Sequence, residues 1–323
     1  MQTFVVTLAR ALLRRGHDVV LYAADGSLAP GVVLRTVPSP PGVEAALWRA
    51  DRPAARVPGL RQAFAEAFRL MRADRREVLS QHAFDSEPLE LSFGGPVLHT
   101  LHLPPLPNPT TAAVLRSGAS FVTVSQAMGR AWRAAGLSQV RVIRNGVRDV
   151  VLEPGPVLPQ AVVAGRVAPE KGTAVAVRVA RAVGLEPVLA GHVYDERYHR
   201  EEVGLPVRAV PQEELWALMA RSSLTLMPVQ WEEPFGLVAA EAQVVGCPVA
   251  GYRRGGLVEV VREGVGGALA APGDERGLIE AARRALALDR GRVRAAARRR
   301  LLIGRTAARY EAALASLVAG ATL

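Results

Sequence analysis

The chain has 323 residues, half of them hydrophobic and about a fifth charged, with a formal net charge of +10. This length favours two domains that each bury a core, and the positive charge favours anionic partners such as nucleotide phosphates or acidic lipid headgroups. Nucleic acid is disfavoured as a partner, because no basic run is interleaved with aromatic residues and no helix-turn-helix or zinc-finger pattern occurs.

The start of the chain bears on localisation. Residues 1–4 lack the basic segment and small-residue cleavage site of a signal peptide, and no apolar run approaches the length of a membrane-spanning helix. The sequence therefore predicts a cytoplasmic protein. Its excess of arginine is either an ordinary solvated surface or a means of peripheral contact with the inner face of the membrane.

Strand and helix patterns alternate through the first half of the chain. The predicted elements are a helix over 3–15, a buried strand over 19–23, a helix over 59–79, strands over 96–101 and 121–124, a helix from the N-cap Ser125 to 135, and a short strand over 140–143. A Pro-rich stretch over 151–160 then predicts a linker.

The same alternation restarts after the linker. The predicted strands cover 161–164, 187–190, 224–227 and 248–251, the predicted helices cover 173–183, 213–222, 236–245 and 257–262, and an Arg-rich helical tail over 274–317 breaks near Gly304. The pattern predicts an α/β protein of two Rossmann-like, doubly wound domains facing a cleft, with the ligand at the carboxyl ends of the strands. The predicted domains are 1–152 and 153–303, with a terminal helix in 304–323 that crosses back to the N-terminal domain.

Lys171 is the only lysine among the 40 basic residues. It follows the predicted strand 161–164 in segment 165–172, which reads Gly-Arg-Val-Ala-Pro-Glu-Lys-Gly. A lysine ammonium is a compact point charge, whereas an arginine guanidinium is a flat fork, so the two do not replace each other freely. A turn of this composition before a helix can hold two cations over an anionic ligand. The alternative is an isolated surface lysine.

Segment 231–241 reads Trp-Glu-Glu-Pro-Phe-Gly-Leu-Val-Ala-Ala-Glu and leads from a strand into a helix. The free amides and positive dipole end of that helix suit a phosphate or sugar hydroxyls. Glu233 lies just before the helix and Glu241 about 12 Å further along it, against apolar neighbours, where a carboxylate needs a partner. A pair of surface glutamates is the alternative.

These segments resemble the retaining glycosyltransferases of family 4. The resemblance rests on Gly-Arg and Pro-Glu-Lys-Gly in 165–172, on Glu-Pro-Phe-Gly-Leu over 233–237, on Glu-Ala at 241–242 and on Gly-Cys-Pro-Val over 246–249, in that order and spacing. It covers nearly the whole chain and is most specific over 161–265. It implies a two-domain glycosyltransferase-B fold that binds a nucleotide-sugar donor in its C-terminal half.

The resemblance also implies roles for single residues. Arg166 and Lys171 would hold the donor diphosphate, Glu241 the ribose hydroxyls, and Glu233 the donor sugar. The backbone amides of Phe235, Gly236 and Leu237 would meet the sugar and phosphate. The catalytic set is then His102, Glu233, Arg166 and Lys171, and the donor-binding set is Arg166, Lys171, Phe235, Gly236, Leu237 and Glu241.

Two further regions are assigned through the resemblance, and a third by its place in the N-terminal half. His102 resembles the N-terminal-domain histidine that reaches the donor sugar, with a histidine satisfied within the fold as the alternative. Segment 253–256, Arg-Arg-Gly-Gly, resembles a glycine-rich turn near the donor, or is a plain loop. A loop with His82, Phe84 and Asp85 could meet the acceptor.

The chemistry of glycosyl–phosphate cleavage fits this set, because two cations and a helix N-terminus would stabilise charge on the leaving diphosphate. No Asp-x-Asp pair occurs, Cys247 stands alone, and His99 and His102 alternate on a strand, so we expect no metal site and no cofactor besides a UDP- or GDP-sugar donor substrate. The family implies a hexosyltransferase that retains anomeric configuration. The acceptor, a carbohydrate, lipid or small molecule, is open.

Three activities remain compatible with the sequence: this transferase, an epimerase or phosphorylase on the same fold, and a non-catalytic or impaired nucleotide-sugar-binding protein. The last is kept because the first strand and its Gly-Gly turn, which precede the first helix in the family, do not occur before the helix over 3–15. We expect neighbouring strand edges to be left unpaired and the natural reading frame to start upstream.

Overall fold

The computed structural model describes residues 2–41, 57–91, 93–153 and 155–320. The described chain divides into two compact units, one of residues 1–144 and 304–323 and the other of residues 145–303. None of the helices in these described ranges is long and apolar enough to span a bilayer.

The N-terminal unit alternates short strands with helices. Its helices are α1 (Gln2–Leu13), α2 (Leu60–Ala73), α3 (Glu87–Glu90), α4 (Pro109–Arg116) and α5 (Gln126–Ala134), and its strands are β1 (Val20–Ala24), β2 (Val33–Val37), β3 (Leu79–Gln81), β4 (Val97–Leu101), β5 (Ser120–Thr123) and β6 (Arg141–Val142). The last helix of the chain, Ile303–Val318, also packs here, and Tyr310 within it is fully buried and hydrogen-bonded to Thr100 Oγ1 at 3.0 Å.

The strands of this unit form two parallel sheets, β1-β2 and β3-β4-β5-β6. Cavities of about 640 and 250 Å³ are each lined by residues of both β1 and β3, among them Tyr22, Leu79 and Ser80. In the described ranges no strand bridges the two sheets. The expectation of a buried first strand is wrong: β1 is half-buried and ends exposed at Ala24, because one of its edges faces these cavities.

The C-terminal unit holds one continuous sheet. Its strands are β7 (Leu158–Val167), β8 (Glu186–Val193), β9 (Val207–Arg208), β10 (Ser222–Met227), β11 (Val249–Tyr252) and β12 (Gly267–Ala270), and its helices are α6 (Thr173–Ala182), α7 (Glu196–Tyr198), α8 (Gln212–Arg221), α9 (Leu237–Val244), α10 (Leu257–Val260), α11 (Glu275–Leu286) and α12 (Arg290–Leu301), so that Ile303–Val318 is α13. A 3₁₀ turn covers Pro169–Lys171 and a π-helical turn covers His199–Val203.

The strand order β12-β11-β10-β7-β8-β9, with every pair parallel, makes this a doubly wound sheet. Chain order reverses between β7 and β10, and ligands of such sheets bind outside the carboxyl ends of the strands at the reversal. The turn 168–172 follows β7 and the loop 228–236 follows β10. The fold therefore brings the two sequence motifs to the same point of one sheet.

The boundary between the units lies before the predicted linker. Val147 bonds through its backbone to Leu301 and Ile303 at 2.8 and 2.9 Å, which ties the residues after 144 to the C-terminal unit. Within the predicted linker, residues 158–160 belong to β7, so the linker prediction is too long at its end. Pro154 lies outside the described residues.

Most predicted elements are present within a few residues. Ser125 caps α5 as expected, because its Oγ accepts a hydrogen bond from the Met128 amide at 3.1 Å. The predicted helix over 59–79 ends earlier and its last residue starts β3. Strands β2, β3, β9 and β12 and helices α3, α4 and α7 were not predicted. Strand β12 reads Gly-Ala-Leu-Ala, a composition with low strand propensity that only tertiary packing makes a strand.

Candidate active site

The lone lysine sits on a turn that another loop holds in place. Gly172 ends the 3₁₀ turn Pro169–Lys171 with φ of 68°, a left-handed conformation that favours glycine. A Cβ at Gly172 would also overlap the Pro228 carbonyl. The backbone N–H of Gln230 donates to the Glu170 carbonyl at 2.8 Å. The turn after β7 thus packs directly on the loop after β10, which fixes where the Lys171 side chain can reach.

Lys171 and Glu233 form a mostly buried ion pair. The lysine Nζ lies 2.9 Å from Glu233 Oε2, and the same oxygen accepts a hydrogen bond from Trp231 Nε1 at 3.0 Å. The ammonium is also 4.8 Å from the centre of the Trp231 ring, within cation–π distance. Glu233 Oε2 therefore accepts from both the Lys171 ammonium and the Trp231 indole. The surface-lysine alternative does not hold, because only 22% of the lysine side chain is exposed.

The glycine-rich segment 253–256 packs directly against the backbone of Glu233. The Gly256 amide donates to the Glu233 carbonyl at 2.6 Å, and a Cβ at Gly256 would overlap the carbonyl of Pro234. A Cβ at Gly255, whose φ is 53°, would overlap the backbone of Glu233. Both glycines are therefore required by close backbone approach.

Helix α9 begins immediately beyond this glutamate. Gly236, with φ of 96°, precedes its first residue Leu237, while Phe235 is 2% exposed and anchors the loop in the core. The first amides of an α-helix have no partner within the helix and carry its positive dipole end. The helix thus starts one residue later than the sequence predicts and directs these amides to the carboxyl edge of the sheet.

Glu241 lies on the buried face of α9, as its apolar neighbours predict, with 9% exposure. Burial raises the pKa of its carboxyl from 4.5 to about 7. The side-chain N–H groups of Gln212 and Trp216 lie near enough to oppose part of that rise, although neither makes a hydrogen bond of normal geometry among the described residues. The carboxylate is held next to two donors that sequence reasoning did not identify.

Arg166, the second predicted cation, lies near the carboxyl end of β7. Its guanidinium is 3.4 Å from Glu170 and stacks 4.9 Å above the Tyr194 ring. The carboxylate and the ring both orient the guanidinium at the edge of the sheet that carries Lys171.

His102 follows β4 in the N-terminal unit and is 7% exposed. Its Nε2 lies 2.9 Å from His82 Nδ1, so it is in part the histidine satisfied within the fold that the sequence left open. Burial holds the pKa of His102 well below 6.5, and the neighbouring His82 adds to this. His99 packs on the Phe121 ring, 5.5 Å between centres, away from His102. The described residues contain no group of three His, Cys, Asp or Glu side chains that could hold a metal ion.

Comparison with known proteins assigns the family. Residues 157–300 match the sequence profile of the group 1 glycosyl transferases, and residues 1–149 match that of glycosyltransferase family 4. The chain belongs to the group 1, family 4 glycosyltransferases. The resemblance drawn from the motifs is thereby confirmed.

Curated relatives of this glycosyltransferase match over parts of their length. A D-inositol 3-phosphate glycosyltransferase of Nocardioides is 45% identical over 97 residues, 29% of this chain and 21% of the relative. A glycogen synthase of Mycobacterium tuberculosis is 32% identical over 213 residues, 58% of this chain and 50% of the relative. The chain thus spans half or less of the curated relatives that it matches.

Solved structures extend the comparison to nearly the whole chain. AviGT4, a glycosyltransferase involved in avilamycin A biosynthesis, is 25% identical with a TM-score of 0.73, covering 98% of this chain and 90% of AviGT4. Anabaena HepE in complex with UDP-glucose is 19% identical with a TM-score of 0.75, covering 98% and 96%. These matches confirm the predicted glycosyltransferase-B type of fold with Rossmann-like domains.

Proposed function

We propose that this protein is a retaining hexosyltransferase that moves a sugar from a UDP- or GDP-sugar to a carbohydrate, lipid or small-molecule acceptor without a divalent metal. The observation that carries the proposal is the Lys171–Glu233 pair at the strand-order reversal, with Glu233 four residues before Leu237, the first residue of α9. The presence of UDP-glucose in the HepE complex supports a nucleotide-sugar donor.

The chemistry follows from charge. Cleavage of the glycosyl–phosphate bond leaves negative charge on the nucleotide diphosphate and positive charge on the sugar. In the proposal, Lys171 and Arg166 bind the diphosphate oxygens, and the first amides of α9 add their dipole end. Glu233 then contacts the donor sugar, with its carboxylate oriented by Trp231.

The binding of the nucleoside is assigned to Glu241. A ribose offers two hydroxyl donors, and an ionised carboxylate accepts both. The side-chain N–H groups of Gln212 and Trp216 lie near the carboxylate on the protein side. In the same proposal, His102 contacts the donor sugar from the N-terminal unit, a role that rests on the family resemblance.

A second candidate is a nucleotide-sugar-binding protein with little or no transfer. The observation that favours it is the division of the N-terminal sheet into two parts beside a cavity of about 640 Å³, in contrast to the continuous sheet that carries the donor-side residues.

The deciding experiment measures nucleotide release from UDP- and GDP-sugars, with and without a panel of acceptors. Acceptor-dependent release, unaffected by EDTA, supports the transferase, and NMR of the first-formed product would show the donor's anomeric configuration. Binding without release favours the second candidate. Isomerised donor sugar without transfer would indicate an epimerase, and release that requires Mg²⁺ or Mn²⁺ would overturn metal independence.

A further inference from the structure

The N-terminal unit contains a hydrogen-bonded pair of histidines at the ends of neighbouring strands. His82 follows β3 and His102 follows β4, and these strands are parallel partners. His82 Nδ1 lies 2.9 Å from His102 Nε2, and the other nitrogen of His82, Nε2, lies 3.0 Å from Ser80 Oγ. Ser80, His82 and His102 therefore form one continuous hydrogen-bonded chain.

Aromatic rings surround the pair and limit its movement. The Phe4 ring stands edge-on to both imidazoles, with centres 6.1 and 5.7 Å away, and Phe84 is edge-on to His102 at 5.7 Å. The Tyr310 ring is 5.9 Å from His82. Burial lowers the pKa of His82 to about 4 and that of His102 well below 6.5, so each ring carries one N–H near pH 7.

One N–H per ring leaves two arrangements for this chain, because a hydrogen bond between two nitrogens needs one donor and one acceptor. In the first, Ser80 donates to His82 Nε2, His82 Nδ1–H donates to His102 Nε2, and His102 carries its proton on Nδ1. In the second, all three are reversed and His102 Nδ1 is a bare acceptor. The tautomers of the two rings are thus coupled, and one cannot change without the other.

The first arrangement uses the only donor that Ser80 has. In the second, Ser80 accepts from His82, and its own hydroxyl proton needs a further acceptor, although apolar residues such as Val5 and Leu79 form part of the lining of the adjoining cavities. A hydroxyl proton that turned toward this apolar part would lose a hydrogen bond, which is costly. The first arrangement is therefore favoured.

We propose that His82 is a positioning residue that, with Ser80, fixes His102 as the Nδ1–H tautomer and so makes it a hydrogen-bond donor toward the donor sugar. The contact with the sugar rests on the proposed function, whereas the tautomer does not. The principle is general: the hydrogen bond at one ring nitrogen decides which nitrogen of a histidine carries the proton.

The test compares two substitutions of His82. The amide nitrogen of asparagine can occupy the place of a histidine Nδ1–H, so His82→Asn keeps the donor to His102, whereas His82→Phe fills the aromatic cluster without one. Nitrogen-15 NMR of the imidazoles in the full chain reads the tautomers directly, with His102→Gln used to assign the His102 signals.

In the wild-type protein and His82→Asn we expect His102 protonated on Nδ1, and in His82→Phe we expect the Nε2–H form to appear. Ser80→Ala should shift the population in the same direction to a smaller extent. An Nε2–H His102 in the wild-type protein, or an unchanged tautomer in a folded His82→Phe variant, would overturn the proposal.

Kinetics separate this inference from the function on which it draws. His82→Phe should lower kcat/KM for the donor by about tenfold, as one lost hydrogen bond predicts. His82→Asn should stay near the wild-type value. Adding His82→Phe to His102→Ala should cause no further loss, because both substitutions act on the same contact. Changed tautomers together with unchanged kinetics in all these variants would support the positioning by His82 and contradict a role for His102 at the sugar.

Discussion

Both units alternate strands and helices, but the polar side chains at their strand ends are charged in the C-terminal unit and neutral in the N-terminal unit. In the C-terminal unit the sheet is continuous, and the loop after β10 meets the turn after β7 at Gly172 and the loop after β11 at Gly256, in both cases through close backbone contacts. This holds a charged pair, Lys171 and Glu233, in a mostly buried place. In the N-terminal unit the sheet is divided, and the corresponding strand ends carry His82 and His102, whose low pKa values keep them neutral.

This difference fits the separate roles proposed above for the two units. Fixed charges are useful where a reaction develops charge, and they remain in place only if the surrounding backbone cannot relax. Neutral hydrogen-bonding groups suit recognition of hydroxyls. The contrast fits the diphosphate binding proposed above for Lys171 and Arg166 in the C-terminal unit.

The largest effect is expected for the lysine. Lys171→Ala should lower turnover by about 100-fold or more, the scale for loss of charge stabilisation in a transition state. Lys171→Arg should also be impaired, because a flat, forked guanidinium does not place its charge where the compact ammonium does. Steady-state kinetics measure both.

The matched control is Arg197→Ala, which removes an exposed Arg–Glu pair in the same unit, with 81% of the arginine side chain exposed. Its turnover should be unchanged. Full activity of Lys171→Arg would show that the single lysine has no special role.

Nucleotide binding should depend on Glu241 and hardly on the N-terminal unit. Glu241→Ala should weaken UDP or GDP binding by about 1.5–3 kcal/mol, the range for a hydrogen bond to a charged group. Calorimetry with the nucleotide alone measures this, with the exposed Glu196→Ala as control. Unchanged affinity would show that the ribose lies elsewhere.

The fold was largely predictable from the sequence because its elements repeat a local pattern. Apolar runs followed by glycine turns and helices predict the strands and their carboxyl ends, and Ser125 marks a helix start. The missed helix α4 had a comparable signal, since Asn108 caps it at 2.9 Å and Pro109 occupies its first turn. Strand β12 had none.

The candidate site was predictable residue by residue but not as a set of contacts. Lys171 and Glu233 stand 62 positions apart, and only the strand order of the sheet brings them together. Trp231 lies inside segment 231–241, whose motif is identified from the sequence, so its role as a hydrogen-bond donor could have been predicted. Gln212 and Trp216 could not have been identified, because on helix α8 they read as ordinary amphipathic positions.

Replacing a glycine by alanine should have a smaller effect, on stability, and the effect should differ between the two units. Gly256→Ala should destabilise the C-terminal unit by about 1–3 kcal/mol, the cost of overpacking, because its Cβ would overlap the Pro234 carbonyl. Gly118→Ala in the N-terminal unit is the control, since nothing lies within 4 Å of its Cβ. Thermal unfolding measures both, and equal melting temperatures would contradict the close contact between Gly256 and Pro234.

The most specific effect is the response of stability to pH, which should have opposite signs in the two units. The folded-state pKa of Glu241 is raised from 4.5 to about 7, so its contribution to stability is complete below pH 4.5 and is lost as pH rises through 7. The folded-state pKa values of His82 and His99 are lowered from 6.5 to about 4, so their contribution is present above pH 6.5 and is lost as pH falls toward 4. Between pH 5 and 7 each of these groups should change the free energy of unfolding by roughly 2 kcal/mol.

Hydrogen-exchange mass spectrometry can follow each unit through its own peptides. Raising the pH from 5 to 7 should stabilise peptides of β3 and β4, since the buried histidines no longer oppose folding, and should remove the Glu241 contribution from peptides of α8 and α9. Glu241→Gln keeps the shape of the side chain without a titrating group, so the difference in stability between this variant and the wild-type protein should grow by roughly 2 kcal/mol over the same range. His99→Phe, a control in the other unit, should leave the α8 and α9 peptides unchanged. A constant difference between Glu241→Gln and the wild-type protein from pH 5 to 7 would mean that the Glu241 carboxyl titrates normally. The buried, donor-flanked carboxylate would then no longer distinguish the two units.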